Sequence, residues 1–167
     1  MKRVLLSICS LSLLLGVTPS FALNVGEFAP CVVLEDIQVD GSSKEQCIRT
    51  PRKKGQFVVL EYFSPVCEDC IANLPILSEL AEDIYQRATT RLIGVDKSKE
   101  TLLNFIHDHK VNITVPVSLD TDRDAYKTYG VTAVPALFIL NAKNFIVYKH
   151  VGPLTPEAVE AIKKIVQ

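Results

Sequence analysis

A chain of 167 residues that is 48% hydrophobic and 22% charged holds one domain with a real core, which excludes disordered, collagen-like and coiled-coil classes. Its 18 Lys and Arg against 19 Asp and Glu give a formal charge of −1, without the basic surplus that a binder of phosphate backbones carries. The five cysteines are the unusual feature, and their meaning depends on the compartment.

Lys2 and Arg3 precede an apolar run from Val4 to Val17, and Thr18-Pro19-Ser20-Phe21-Ala22 follows. A charged start, an apolar stretch and a small-x-small site at Ser20 and Ala22 predict a signal peptide over 1–22, cleaved after Ala22. The run falls short of the roughly 20 apolar residues of a spanning helix. An uncleaved N-terminal membrane anchor is the alternative. The expected product is a single domain over 23–167 in the periplasm or outside the cell. Cleavage removes Lys2, Arg3 and Cys9, so the net charge becomes −3 and four cysteines remain. An even number in an exported chain predicts two pairs. Cys67 and Cys70 form a Cys-x-x-Cys, which leaves Cys31 with Cys47 by elimination. That second bridge is expected to be structural, worth about 3 kcal/mol by loop entropy. A second redox pair relaying electrons to Cys67 and Cys70 is its alternative.

The stretch from Cys31 to about Cys47 reads as a strand pair around Asp40-Gly41. The charged run from Arg49 to Gly55 is punctuated by Pro51 and has no interleaved aromatics, so it reads as a solvated turn and not as a nucleic-acid patch. Gln56 to Phe63 is β-branched and aromatic and predicts a buried strand with one acid, Glu61, inside it. Ile71, Leu74, Leu77 and Leu80 keep helical spacing, which predicts a helix to about Arg87 with a kink at Pro75. Arg91 to Asp96 is a second buried strand, and Ser98 caps a helix through about His109. Ile113 to Leu119, interrupted by Pro116, is a third extended segment. A short helix then runs through Tyr129 and stops at Gly130. Ala136–Leu140 and Phe145–Tyr148 flank a turn at 141–144, a hairpin, and Thr155-Pro156 opens a final helix. This order predicts an α/β fold, a central mixed sheet with helices on both faces.

Cys67-Glu68-Asp69-Cys70 lies where a strand ends and a helix begins. Free amides and the helix dipole favour negative charge there, so a thiolate is expected to form below the usual pKa of about 8.5. Cys70, about a turn further in, can reach a mixed disulfide on Cys67. Cys67 is therefore the expected exposed nucleophile and Cys70 the buried resolving thiol. Zinc would need two more ligands at matching spacing, and His107 and His109, two apart on a helix, do not share a face. No metal is expected. A purely structural Cys67–Cys70 bridge would crosslink too little chain to stabilise much.

The segments FVVLEYFSPVCEDC, from Phe57 to Cys70, and GVTAVPALFIL, from Gly130 to Leu140, resemble the thioredoxin superfamily. The resemblance covers nearly all of the chain from about Asn24. The long interval between Cys70 and Pro135 and the opening GEFAPCVVLEDIQVDG are similar to the exported TlpA/ResA/CcmG-like group. The strand LEYFS is also similar to DsbA-like oxidases, whose full helical insertion does not fit the interval. What the resemblance implies is a thioredoxin-like fold with an N-terminal β-hairpin and one inserted helix-strand unit. It also implies a thiol–disulfide oxidoreductase that acts on protein substrates without a cofactor and is served by a membrane redox partner such as a DsbD-like protein. Residue by residue, it makes Pro135 a cis-proline facing the cysteines and leaves the backbone of Val134 open to a substrate strand. Val66 replaces the aromatic residue usual before the first cysteine, beside the substrate. Glu61, six residues before Cys67, becomes the buried carboxylate that accepts the proton of Cys70. Asn73 stands where the group often carries an acid.

Glu68 and Asp69, at roughly 6–8 Å in a dielectric of about 40–80, each disfavour a Cys67 thiolate by about 0.5–1.4 kcal/mol. A less stabilised thiolate makes a less oxidising disulfide, so a reductase or isomerase is expected in preference to an oxidase. The rivals are a copper-binding chaperone using both thiols with His150 or His107, a DsbA-like oxidase, and a catalytically silent binding module. A peroxidase is disfavoured because no Pro-x-x-x-Thr-x-x-Cys segment surrounds Cys67.

Overall fold

Hydrophobic alternation along the chain resolves into a single sheet in the structure, a computed structural model that describes residues 22–37, 42–109 and 115–167. The leader before Ala22, the Asp40-Gly41 turn and Ile113 lie outside the described residues. An antiparallel hairpin of β1 (Val33–Ile37) and β2 (Ser43–Cys47) comes first. There follow β3 (Phe57–Phe63), α1 (Glu68–Asp83), β4 (Ala88–Gly94), α2 (Lys99–Asp108), β5 (Val117–Leu119) and α3 (Asp124–Thr128). The hairpin of β6 (Ala136–Leu140) and β7 (Ile146–Val151) and the helix α4 (Pro156–Ile165) complete the order. The seven strands lie in the order β2-β1-β5-β4-β3-β6-β7. β3, β4 and β5 run parallel, while β1 and β6 pair antiparallel to them.

The two-residue period of a strand sends alternate side chains to opposite faces. From β3, Val59 and Phe63 join a core with Leu77 and Leu80 of α1, Leu102 and Phe105 of α2 and Ile162 of α4. Val58, Leu60 and Tyr62 point the other way, to Ala125 on α3, Tyr129, and Ala29 and Ile48 of the N-terminal region. Both faces are covered, as expected, but unequally: three helices on one side, one short helix and the N-terminal segment on the other. The inserted unit is α2 with β5. By lying between β4 and β1, β5 lets the N-terminal hairpin extend the sheet.

Several boundaries differ from the sequence expectation for physical reasons. α1 stops at Asp83 and not near Arg87, because Arg87 already carries the carbonyl that accepts the Phe57 amide at 2.9 Å as β4 begins. β4 starts at Ala88 because Thr89 and Thr90 pair with Val58 and Val59. Their polar side chains conceal a fully buried strand. α1 runs unbroken through Pro75. Its buried stripe is Cys70, Asn73, Leu77, Leu80 and Ala81, while Ile71 and Leu74 are half-buried. The apolar stripe read from the sequence is thus rotated, and a polar residue occupies the buried side.

A second polar surprise is Arg91, 2% exposed in the middle of β4. It bonds Asp36 of β1, also 2% exposed, and the Ser118 hydroxyl of β5 at 3.2 Å. Ser118 in turn donates to Asp36. This network ties the N-terminal hairpin to the centre of the sheet, where an unpaired charge would be costly.

Candidate active site

The chain leaves the C-terminal end of β3, turns through Ser64-Pro65-Val66 and starts α1 at Cys67, the helix N-cap. The backbone of Cys67 is extended (φ −97°, ψ 110°), and its sulfur accepts the Cys70 amide at 3.1 Å. Sulfur thus takes the place that a Ser or Asp oxygen occupies in an ordinary cap. A negative charge on that sulfur would face a free amide and the positive end of the α1 dipole. Cys67 is half-buried and Cys70 is 2% exposed. The two are joined as a disulfide with Cα atoms 5.2 Å apart.

Antiparallel pairing of β6 with β3, Ala136 opposite Tyr62, brings the preceding loop over this pair. The Val134–Pro135 bond is cis, and the Val134 carbonyl oxygen lies 3.7 Å from the Cys67 sulfur. Val134 is half-buried and Pro135 buried. Val66, immediately before Cys67, is 82% exposed, and Glu68 and Asp69 are exposed beside it.

Glu61 lies beneath α1, on the face of β3 that carries Val59 and Phe63, with Leu92 and Leu137 as its strand neighbours. It is 2% exposed, and burial raises its pKa from the ordinary 4.5 to about 7, opposed by a hydrogen bond from Asn73. The Asn73 amide nitrogen donates to Glu61 Oε1 at 3.2 Å, and Oε2 has no hydrogen-bond partner among the described residues. Asn73 Oδ1 accepts the Leu154 amide at 2.9 Å. One asparagine on α1, a turn beyond Cys70, therefore links the buried acid to the segment that leads into α4.

The structure brings together Cys67, Cys70, Val134, Pro135 and Val66, with Glu61 joined to α1 through Asn73. Cys31 and Cys47 form the other disulfide, across the ends of the first hairpin. Strand directions place it at the same end of the sheet as Cys67, but β1, β5 and β4 stand between β2 and β3. His150 on β7 faces the Pro153 carbonyl at 3.0 Å, and His107 sits beside Asp108 at the end of α2. What sequence reasoning missed is the engagement of Asn73 and the Arg91–Asp36–Ser118 network. The available signal for Asn73 was its spacing from Cys70, Leu77 and Leu80, the other members of one helical face.

Residues 25–149 match the AhpC/TSA family. The sporulation thiol-disulfide oxidoreductase A of Bacillus subtilis is 28% identical over 108 residues, 62% of this chain and 64% of that protein. The thiol-disulfide oxidoreductase ResA of Bacillus subtilis is 26% identical over 147 residues, 87% of this chain and 78% of that protein. The thioredoxin domain of a thiol-disulfide oxidoreductase from Bacteroides vulgatus shares the fold, with a TM-score of 0.70 at 19% identity, covering 87% of this chain and 99% of that one. The fold is thioredoxin-like.

Proposed function

The chain belongs to the AhpC/TSA family, and on that premise we propose that it is an exported thiol–disulfide oxidoreductase working on protein substrates through Cys67 and Cys70. The observation that carries this reading is the half-buried Cys67 sulfur capping α1, with the Cys70 amide 3.1 Å away. A sulfur so placed is a stabilised leaving group and nucleophile with an open side, while Cys70 is reached only from Cys67. The names of the Bacillus relatives support the same chemistry.

In the reducing direction the Cys67 thiolate attacks a substrate disulfide, forms a mixed disulfide and releases one substrate thiolate. Cys70 gives its proton to Glu61 and attacks the Cys67 sulfur. The second substrate sulfur leaves and takes up a proton, and the Cys67–Cys70 bond closes with two electrons passed to the substrate. Val134 offers its backbone to the substrate strand and Val66 an apolar contact beside the reacting sulfur. A carboxyl titrating near neutrality suits Glu61 to accept a proton and return it. No cofactor takes part. A DsbD-like membrane partner would restore the dithiol.

The exposed acids Glu68 and Asp69 oppose a Cys67 thiolate and favour reductase or isomerase chemistry over oxidation. The test is disulfide exchange with a protein substrate. Cys67→Ser is expected to abolish it, and Cys70→Ser to accumulate the mixed disulfide. A reduction potential below about −200 mV supports the reducing direction, and one near about −120 mV marks an oxidase. A wild-type protein that exchanges no disulfide at all is a silent module, and the reading fails.

A further inference from the structure

Glu61 has two chemically equivalent oxygens, and the protein does not treat them alike. We propose that Asn73 is a positioning residue that dictates which oxygen of Glu61 carries the proton exchanged with Cys70. The role assigned to Glu61 above is the ground on which this stands.

A side-chain amide has two unlike ends: its oxygen only accepts and its nitrogen only donates. The Leu154 amide, donating to Asn73 Oδ1 at 2.9 Å, holds the oxygen end towards the α4 side. The nitrogen end is thereby turned to Glu61 Oε1, at 3.2 Å. A flipped amide would set its N–H groups against the Leu154 N–H and its oxygen against the carboxylate, so the orientation is determined from both ends. An oxygen already receiving an N–H bond is a poor site for a proton of its own, because protonation makes it the weaker acceptor of the two. The proton of Glu61 therefore resides on Oε2, the buried oxygen that has no hydrogen-bond partner among the described residues.

Among the described residues that strand pairing and hydrogen bonds set beside Glu61, none competes for that role. β4 and β6 set Leu92 and Leu137 beside Glu61, and the segment before α4 contributes Leu154. α1 contributes Asn73 and Cys70, of which only the cysteine can titrate. Asn73 itself is 3% exposed.

The experiment follows the titration of Glu61 by carboxyl-carbon NMR in the oxidised protein, with no substrate present, and then the pH profile of exchange in the reduced protein. Asn73→Leu removes the donor to Glu61 and adds no charge of its own. A merely structural role for Asn73 predicts an unchanged profile. The positioning role predicts that the Glu61 midpoint rises by about one pH unit or more, with the pH profile moving alongside. A midpoint and profile that stay at the wild-type values overturn the proposal. Should the variant not fold, the wild-type protein still decides: the side-chain amide signals of Asn73 must shift with the Glu61 midpoint, and signals flat through that range overturn it. If the amide follows Glu61 but no disulfide is exchanged, the oxidoreductase reading falls and the exchange with Cys70 with it, while a flat amide in an active protein overturns the positioning alone.

Discussion

Glu61 sets the pH response of the protein through a burial cost. Its folded pKa of about 7 lies above the ordinary 4.5, so between those values the folded state holds a proton that the unfolded state has released. Stability contributed by the neutral acid is present in full below pH 4.5 and declines as the pH rises through 7, by about 3 kcal/mol in all. Glu61→Gln cannot ionise. It is expected to match the wild type near pH 4 and to exceed it by roughly 1–3 kcal/mol at pH 8 in urea denaturation. Equal stabilities at both pH values would show that the carboxyl is not held neutral by burial. The acid itself was legible in the sequence as the one charge inside an apolar strand. Its partner was not, because an asparagine on a helix looks the same whether it faces water or a carboxylate.

The helices illustrate a similar division. Cap residues announce themselves: Ser98 accepts the Thr101 amide and Thr155 the Ala158 amide, where the sequence places them. Faces and ends are less local, since the neighbouring strand decides them, as the early stop of α1 shows. Gly94 marks one such junction. A Cβ there would lie 2.7 Å from Leu102 Cδ2 on α2 and 3.1 Å from Phe63 Cζ. Both neighbours are buried, so Gly94→Ala is expected to push α2 off the sheet, costing about 1–3 kcal/mol and lowering the melting temperature. An unchanged melting temperature would mean that α2 packs loosely.

Across the molecule the N-terminal hairpin is held by two unlike devices, the Cys31–Cys47 disulfide and the buried Arg91–Asp36–Ser118 network. Replacing both Cys31 and Cys47 with Ala is expected to cost about 3 kcal/mol in denaturant titrations while exchange at Cys67 continues. Loss of exchange in a folded variant would assign that pair to electron transfer. Arg91→Met strands Asp36 in the core, and a loss of about 3–5 kcal/mol is expected.

Element order and the two thiols at a helix start could be read from the chain because period, caps and spacing act within a few residues, while the Cys31–Cys47 pairing, 16 residues apart, followed by elimination from the even count. The contacts that give polar groups their meaning span 12 residues from Glu61 to Asn73, 55 from Asp36 to Arg91 and 82 from Asp36 to Ser118. The cost of burying a charge or an amide depends on the partner it finds, and folding alone brings such partners together.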